Sequence, residues 1–473
     1  MLPGWCYPGN GRKEMVFQKV DHMKASSHFL IAAPSSNSGK TTLTLGLLRA
    51  LKNRGKNVQP FKCGPDYIDP IHHTQAAGNV SINLDTFMAS HKHVSELYEK
   101  YGQDADVCVT EGVMGLFDGA DKMQGSSAAI AELLNIPVIL VINAKSMAYS
   151  AAPLLYGFKN FYPGIRVVGA IFNFVNSESH YRFLREACED VGIEALGYLA
   201  KNENISIASR HLGLHISSET DYESVIENLA AAVSETVDID LLLRITRRKV
   251  ADHVQILPAN NGFSNRKGGL KITIAKDEAF SFTYHQNIEV LSQFGEISWF
   301  SPVQDAILPD TDFLYLPGGY PELFAEKLSA NKSMLASIKR YCDGGGVTYA
   351  ECGGTMYLGT EMINKEGVTF AMAGVLDYAT TMSGTKMTLG YRVAHWNELE
   401  FQGHEFHYSA FYEQREAIVE IKVNNAKGTE VITPFFKKNN TVATYMHVYW
   451  GEHAGFIEQL MKCGIEMPET KNL

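Results

Sequence analysis

Long apolar runs, an excess of positive charge and paired cysteines are all missing from this chain of 473 residues. No stretch approaches the ~18 uninterrupted apolar residues that a spanning helix needs, so no membrane partner is expected. The longest apolar run, Ile136–Ile142, has the length and β-branched content of a buried parallel strand. The net charge is -10, from 42 Lys and Arg against 52 Asp and Glu. With no basic stripe to neutralise phosphates, a nucleic-acid partner is excluded. The densest basic cluster, Arg247-Arg248-Lys249, reads as solvated surface in a linker. The seven cysteines (Cys6, Cys63, Cys108, Cys188, Cys342, Cys352 and Cys463) are odd in number and scattered, with no Cys-x-x-Cys pair. That excludes a disulfide framework and a zinc knuckle, and it fits a reducing, cytoplasmic location. Residues 1–26 hold Gly, Pro and mixed charge but no apolar core. They are expected to be a loose tail rather than a secretory signal, with Met15 or Met23 as the natural start.

What is present begins with His28–Ala33, followed by Pro34-Ser-Ser-Asn-Ser-Gly39-Lys40-Thr41-Thr42 and a helical run from Leu43. Strand, tight loop and helix form the context a phosphate-binding loop requires. Loop N–H groups and the helix N-terminus face the phosphates, Lys40 reaches the outer ones, and Thr41 can hold Mg²⁺. Ser36, Gly39, Lys40, Thr41 and Thr42 are therefore the expected ATP contacts. The first glycine of the usual G-x-x-x-x-G-K-[ST] pattern is replaced by Pro34. A chance Ser/Gly turn is the competing reading, and the strand and helix on either side argue against it.

The length calls for two or three domains. From Phe29 onward, short apolar strands alternate with helical stretches: Phe29–Ala33, Val58–Lys62, Val107–Glu111, Val138–Asn143, Val167–Phe174 and Leu196–Leu199. Such alternation implies an α/β, doubly wound parallel sheet with ligands beyond the C-terminal strand ends. A linker without periodicity is expected over 241–269, between an ATP-binding domain (27–240) and a second α/β domain (270–473). Strands are expected in the second domain at 271–276, Ile297–Phe300, Phe313–Leu316 and Val347–Ala350, with an antiparallel or mixed strand at Ala417–Val423.

Acids gather at the strand ends of the first domain. Lys62-Cys-Gly-Pro-Asp66-Tyr67-Ile68-Asp69 follows the second strand, and Glu111-Gly-Val-Met-Gly-Leu-Phe-Asp118 follows the third. Asp66 and Asp69 suit Mg²⁺ or a substrate, Lys62 can bridge phosphate and substrate carboxylate, and Glu111 matches the second metal ligand of phosphate-loop enzymes. Any one of them alone is more often a turn cap. Four on one edge of one sheet favour a site.

The motifs A-P-S-S-N-S-G-K-T-T (Ala33–Thr42), P-F-K-C-G-P-D-Y-I-D-P-I-H-H-T (Pro60–Thr74), N-L-D-T-F-M (Asn83–Met88), E-G-V-M-G-L-F-D-G (Glu111–Gly119) and R-H-L-G-L (Arg210–Leu214) resemble the cobyrinate a,c-diamide synthase family. The ATP half of that family is similar to dethiobiotin synthetase. The resemblance implies that Lys40 and Thr41 hold triphosphate and Mg²⁺. It also implies that Asp66, Asp69, Glu111 and Asp118 serve metal and substrate, and that Tyr67 and Ile68 lie near a tetrapyrrole. His73, Asn83 and Asp85 fall inside shared motifs without an assigned role. Where the family starts its loop Gly-Thr, this chain has Ala33-Pro34.

In the second domain, Val347–Ala350 leads into Glu351-Cys352-Gly353-Gly354 and a helix start. Glycines beside a cysteine permit the strained turn that exposes a nucleophile, and a helix N-terminus is expected to lower the thiol pKa. A free Cys is otherwise most often a buried structural residue. His447 in Thr444-Tyr-Met-His447-Val-Tyr449 is the candidate base, and Gly318 and Gly319 of Leu316-Pro-Gly-Gly-Tyr-Pro-Glu322 are candidate oxyanion donors. L-P-G-G-Y-P-E, A-E-C-G-G and G-H-E-F-H-Y-S (Gly403–Ser409) resemble class I glutamine amidotransferases, whose flavodoxin-like fold is implied here. Many of those complete the triad with His-x-Glu, but Tyr449 stands at that place, leaving Glu405 or Glu452 as guesses.

The combined expectation is a ligase. Cys352 releases ammonia from L-glutamine, and ATP activates the a and c acetates of cobyrinic acid as acyl phosphates. The alternatives are the same chemistry on nickel-sirohydrochlorin, the corrinoid side chains amidated by cobyric acid synthase, and a non-catalytic nucleotide switch. Switch ATPases of the partition type carry an extra lysine where this chain has Ser35. A homodimer is the assembly allowed for.

Overall fold

Strand β1 (Ala25–Ala32) lies near the middle of the first sheet, and Phe29–Ala33 at its C-terminal end is almost fully buried. The computed structural model describes residues 25–200, 209–210, 213–214, 222–249, 269–415 and 419–464. The remaining strands are β2 (Val58–Cys63), β3 (Ile82–Leu84), β4 (Val107–Glu111), β5 (Val138–Asn143), β6 (Val167–Val175) and β7 (Glu194–Ala200). They run in the order β3-β2-β4-β1-β5-β6-β7, all parallel. Runs such as Val-Ile-Leu-Val-Ile in β5 suit a sheet covered on both faces by helices. Helix α1 (Lys40–Asn53) follows the phosphate loop, and α2 (Ile68–Ala77) follows the acidic loop after β2.

The expected strands are all present in the first sheet. The sequence reading does not anticipate β3, whose three residues carry no periodicity. A second difference concerns the ends of the domain. Arg247–Lys249, expected in the linker, pairs antiparallel with β1, matching Ala25 to Lys249 and Ser27 to Arg247. Ala25 and Ser26, expected in the tail, are part of β1. The basic cluster is therefore sheet rather than solvated linker, and Arg248 reaches Glu99 at 3.3 Å. The rest of the expected tail, residues 250–268 of the expected linker, His211 and Leu212 of R-H-L-G-L, and residues 416–418 lie outside the described residues.

The second sheet has the order Gly295–Phe300, Leu270–Ala275, Phe313–Leu316, Val347–Glu351, Thr441–Thr444, Phe435–Lys438. Its pairs are parallel except the last. An antiparallel sheet flanks it, ordered Lys422–Asn425, Thr388–Trp396, Leu399–His407, His447–Val448. Among the described residues of the strand expected at Ala417–Val423, only Lys422 and Val423 are in a strand. The two domains share a buried apolar cluster, with Tyr67 and Met88 from the first packed beside Phe282, Tyr284 and Tyr449 from the second. Polar contacts reinforce it. His93 Nε2 lies 2.8 Å from Tyr449 Oη, Tyr391 Oη donates to Asp85 at 2.8 Å, and Lys100 pairs with Glu289 at 2.7 Å. Among the described residues no helix is long and apolar enough to cross a membrane.

Candidate active site

The phosphate loop leaves β1 and turns into α1 at Gly39, whose φ of 92° is left-handed. A Cβ there would stand 1.9 Å from Asn173 Nδ2, so glycine is required twice over, by conformation and by space. Asn173, near the end of β6, donates to the Ser38 carbonyl at 3.2 Å and braces the loop. A lone Asn on a strand gave no sequence signal for this. Ser36 lies exposed at the loop tip, and Thr42 is half-buried in the first turn of α1. Lys40 is buried and its Nζ donates to the Met114 carbonyl at 2.5 Å. Burial pulls its pKa below the ordinary lysine range.

Because β4 lies between β1 and β2, Glu111 at its end sits beside both the loop and Lys62, in register with Ile31 and Lys62. Thr41 Oγ1 donates to Glu111 Oε1 at 2.7 Å and to Asp69 at 3.3 Å. Lys62 Nζ, almost fully buried, bonds Asp69, reaches Glu111 at 3.0 Å and stands 3.7 Å from Asp66. His73 Nε2 meets the other Glu111 oxygen at 2.8 Å. Burial alone would raise the Glu111 carboxyl, but Lys62, His73 and Thr41 hold it well below the usual range.

Two sequence expectations shift here. Asp66 Oδ1 accepts from the N–H groups of Ile68 (2.9 Å) and Asp69 (3.0 Å), so that oxygen fixes the start of α2 instead of facing a metal. Asp118 accepts from Gly115 N at 3.0 Å, shaping the turn whose Leu116 N bonds the Ala33 carbonyl, and its charge acts on Lys40 of the phosphate loop. Among the described residues, no three or more His, Cys, Asp or Glu could hold a metal by themselves. The oxygens of Thr41 and Glu111 do fit Mg²⁺, which keeps water and phosphate oxygens for most of its ligands. The motif residues without assigned roles are structural pins. His73 holds Glu111, Asn83 Nδ2 donates to the carbonyls of Gly64 (3.0 Å) and Asp66 (2.7 Å), and Asp85 holds Tyr391.

In the second domain, Cys352 follows the buried strand Val347–Glu351 with φ 42° and ψ -102°, a strained conformation for a residue with a side chain. The turn points it into a narrow cleft lined by Gly319, Tyr320, Glu322, Phe406 and Tyr408. Contrary to expectation, the thiol pKa is not lowered. Burial pushes it up, and nearby carboxylates led by Glu322 add to the effect, outweighing the six-residue helix that follows. A base must therefore take the proton. His447 is buried, and its ring lies so close to Gly318 that a Cβ there would fall 2.3 Å from Cε1. Gly319 lines the Cys352 cleft, while Gly318 makes room for the base and its carbonyl accepts from Ser281 and Phe282.

The acid facing His447 is Glu351, with Oε2 3.7 Å from Nδ1. Its carboxylate is fixed by Tyr315 Oη at 2.8 Å and Val448 N at 3.0 Å. Neither guessed acid serves. Glu405 is bound to Arg392 at 2.5 Å, and Glu452 accepts from Ser90 N at 2.7 Å across the domain boundary. Tyr449 pairs with His93.

Tyr67 and Ile68, expected beside a tetrapyrrole, are each only 8% exposed within the interdomain cluster. The ring of Tyr67 stacks on Phe282 (5.2 Å between centroids) and lies 5.1 Å from that of His447. An aromatic side chain on a loop finds more apolar area against the second domain than in solvent.

With this geometry in place, similarity to known proteins falls into line. Residues 29–214 match the CobQ/CobB/MinD/ParA nucleotide binding domain, and residues 271–455 match the CobB/CobQ-like glutamine amidotransferase domain. A cobyrinate a,c-diamide synthase from Listeria innocua is 38% identical over 452 residues, covering 92% of this chain and 99% of that protein. One from Listeria monocytogenes is 39% identical over 450 residues, covering 91% and 98%. A hydrogenobyrinate a,c-diamide synthase from Brucella anthropi is 39% identical over 439 residues, covering 90% and 99%.

Proposed function

Since the chain belongs to the cobyrinate a,c-diamide synthase family, we propose that it converts the a and c acetates of cobyrinic acid to amides, using glutamine and ATP. The observation that carries this reading is Cys352 on its left-handed turn, in a domain where a buried His447 faces the carboxylate of Glu351, in one chain with a complete Gly-Lys-Thr loop. His447 takes the thiol proton as Cys352 Sγ attacks the glutamine side-chain carbonyl, then returns it to the departing ammonia. Glu351, facing Nδ1 at 3.7 Å, offsets the transient charge of the imidazole. Water hydrolyses the thioester to glutamate. In the first domain, a substrate carboxylate oxygen attacks the γ-phosphorus, giving an acyl phosphate and ADP. Ammonia then adds to that carbonyl and inorganic phosphate leaves. Lys40 exchanges the Met114 carbonyl for phosphate oxygens, and Lys62 stands between loop and carboxylate. Thr41 and Glu111 would hold Mg²⁺, which would supply charge neutralisation during phosphoryl transfer.

The test is to incubate the protein with ATP, Mg²⁺ and glutamine plus cobyrinic acid, hydrogenobyrinic acid or nickel-sirohydrochlorin, and to count amides by mass spectrometry. Two amides gained on cobyrinic acid are expected; none would sink the proposal. A metal-free substrate is the second reading, favoured by the hydrogenobyrinate-acting relative.

The cleft also suggests how glutamine is held. Glu322 is a carboxylate lining it beside Cys352 and suits the substrate's α-ammonium group. Burial raises its pKa to about 7. It is therefore neutral below that pH and ionised above, so KM for glutamine is expected to fall as pH rises from 6 to 8. Glu322→Gln is expected to raise KM about tenfold, the value of one charged hydrogen bond, and to flatten that dependence. Initial rates against glutamine concentration at several pH values check both.

A further inference from the structure

The loop between β2 and α2 has two faces. One carries Asp66 and Asp69 to Lys62, beside the phosphate loop. The other carries the ring of Tyr67 across the domain boundary into the wall of the amidotransferase site. There it meets Phe282 at 5.2 Å, Tyr284 at 4.6 Å, His404 at 5.6 Å and His447 at 5.1 Å between ring centroids.

His447 needs such a wall. Its Nδ1 finds no hydrogen-bond partner among the described residues, and 3.7 Å to Glu351 is too long for one. What fixes the ring is packing. Gly318 is pressed against Cε1, His404 stacks at 5.0 Å and 16°, and Tyr67 lies against it from the other domain. The Tyr67 backbone is itself held, because Asn83 pins the carbonyls of Gly64 and Asp66 and Asp66 pins the N–H groups that follow.

We propose that Tyr67 is a positioning residue for the glutaminase base, a side chain of the ATP domain that holds the His447 imidazole toward Glu351 and Cys352. The loop that reads the phosphate site thereby sets the competence of the ammonia-producing site. This goes beyond the proposed function but rests on its assignment of Cys352 and His447.

The test uses the full chain with glutamine alone, without ATP or tetrapyrrole, so that substrate contacts play no part. Tyr67→Ala is expected to lower kcat/KM for glutamate release about tenfold or more, mostly in kcat. Tyr67→Phe, which keeps the ring, is expected to stay within about twofold of wild type. Should Tyr67→Ala not fold, Tyr67→Leu fills the space without a ring and carries the same expectations. Wild-type kcat/KM in a folded Ala or Leu variant would overturn the proposal and leave the amidotransferase reading intact. Absence of glutamine hydrolysis by the wild type would overturn both.

Discussion

Cys352→Ser is expected to cut glutamine-dependent amidation by about three orders of magnitude or more, while amidation driven by free ammonia persists. The serine hydroxyl fits the turn, so the site keeps its shape and loses only its nucleophile. The wild-type thiol is held protonated by burial and by neighbouring carboxylates, so attack depends on proton transfer to His447. An alkoxyl proton at the same place is far harder to remove. The phosphate loop, Lys62 and Glu111 belong to the other domain and are untouched. Amide formation measured with glutamine and with ammonium chloride at pH 8 or above, where more of the nitrogen is unprotonated, separates the two activities. If ammonia failed to restore amidation by a folded Cys352→Ser protein, the assignment of separate tasks to the two domains would be wrong.

Lys62→Met is expected to have the largest effect on stability. The ammonium is almost fully buried, between Asp69 and Glu111 with Asp66 nearby. Methionine fills the space but leaves the carboxylates buried without their cation. Breaking a buried pair in this way costs about 3–5 kcal/mol, which corresponds to a melting temperature lower by roughly 10 °C. The pH dependence has a definite sign. In the wild type, Glu111 has a depressed pKa and stabilises the fold above the normal carboxylate range, an effect lost as pH falls. In the variant, burial raises the Glu111 carboxyl instead and lifts Asp69, already held up by burial in the wild type, further, so protonation relieves the strain. The deficit should be larger at pH 8 than at pH 5, and thermal melts at the two values test this. An equal deficit at both would mean that the acids do not depend on Lys62 as described. ATP-dependent amidation should be lost with either nitrogen source.

Much of both sites was legible in local sequence. The Gly-Lys-Thr core, the acids after the β2 and β4 strands, and the cysteine before paired glycines are short patterns tied to strand ends, and the structure brings Thr41, Lys62, Asp69 and Glu111 together. What escaped has a physical reason in each case. Glu351 stands next to Cys352 in the chain, and nothing local ties it to a histidine as distant in sequence as His447. Asn173 and Tyr67 act through contacts far away in sequence, which no local pattern encodes. The pairing of Arg247–Lys249 with β1 is backbone hydrogen bonding by charged residues, with no apolar alternation to announce it. The expected tetrapyrrole contacts Tyr67 and Ile68 follow the same lesson: a motif marks a place in the chain, and the fold decides which way it faces.

The pairing of β1 with Arg247–Lys249 carries a consequence for how the chain is made. It closes the first sheet with residues that leave the ribosome before any of the second domain does. The ATP domain can therefore finish folding during synthesis, as N-terminal domains generally do first. Its partner surface, including Tyr67, Phe87 and Met88, must then wait in solvent while residues 270 onward are translated. During that interval the nascent protein displays an aromatic patch that the finished one hides, and the amidotransferase domain is the first partner to reach it.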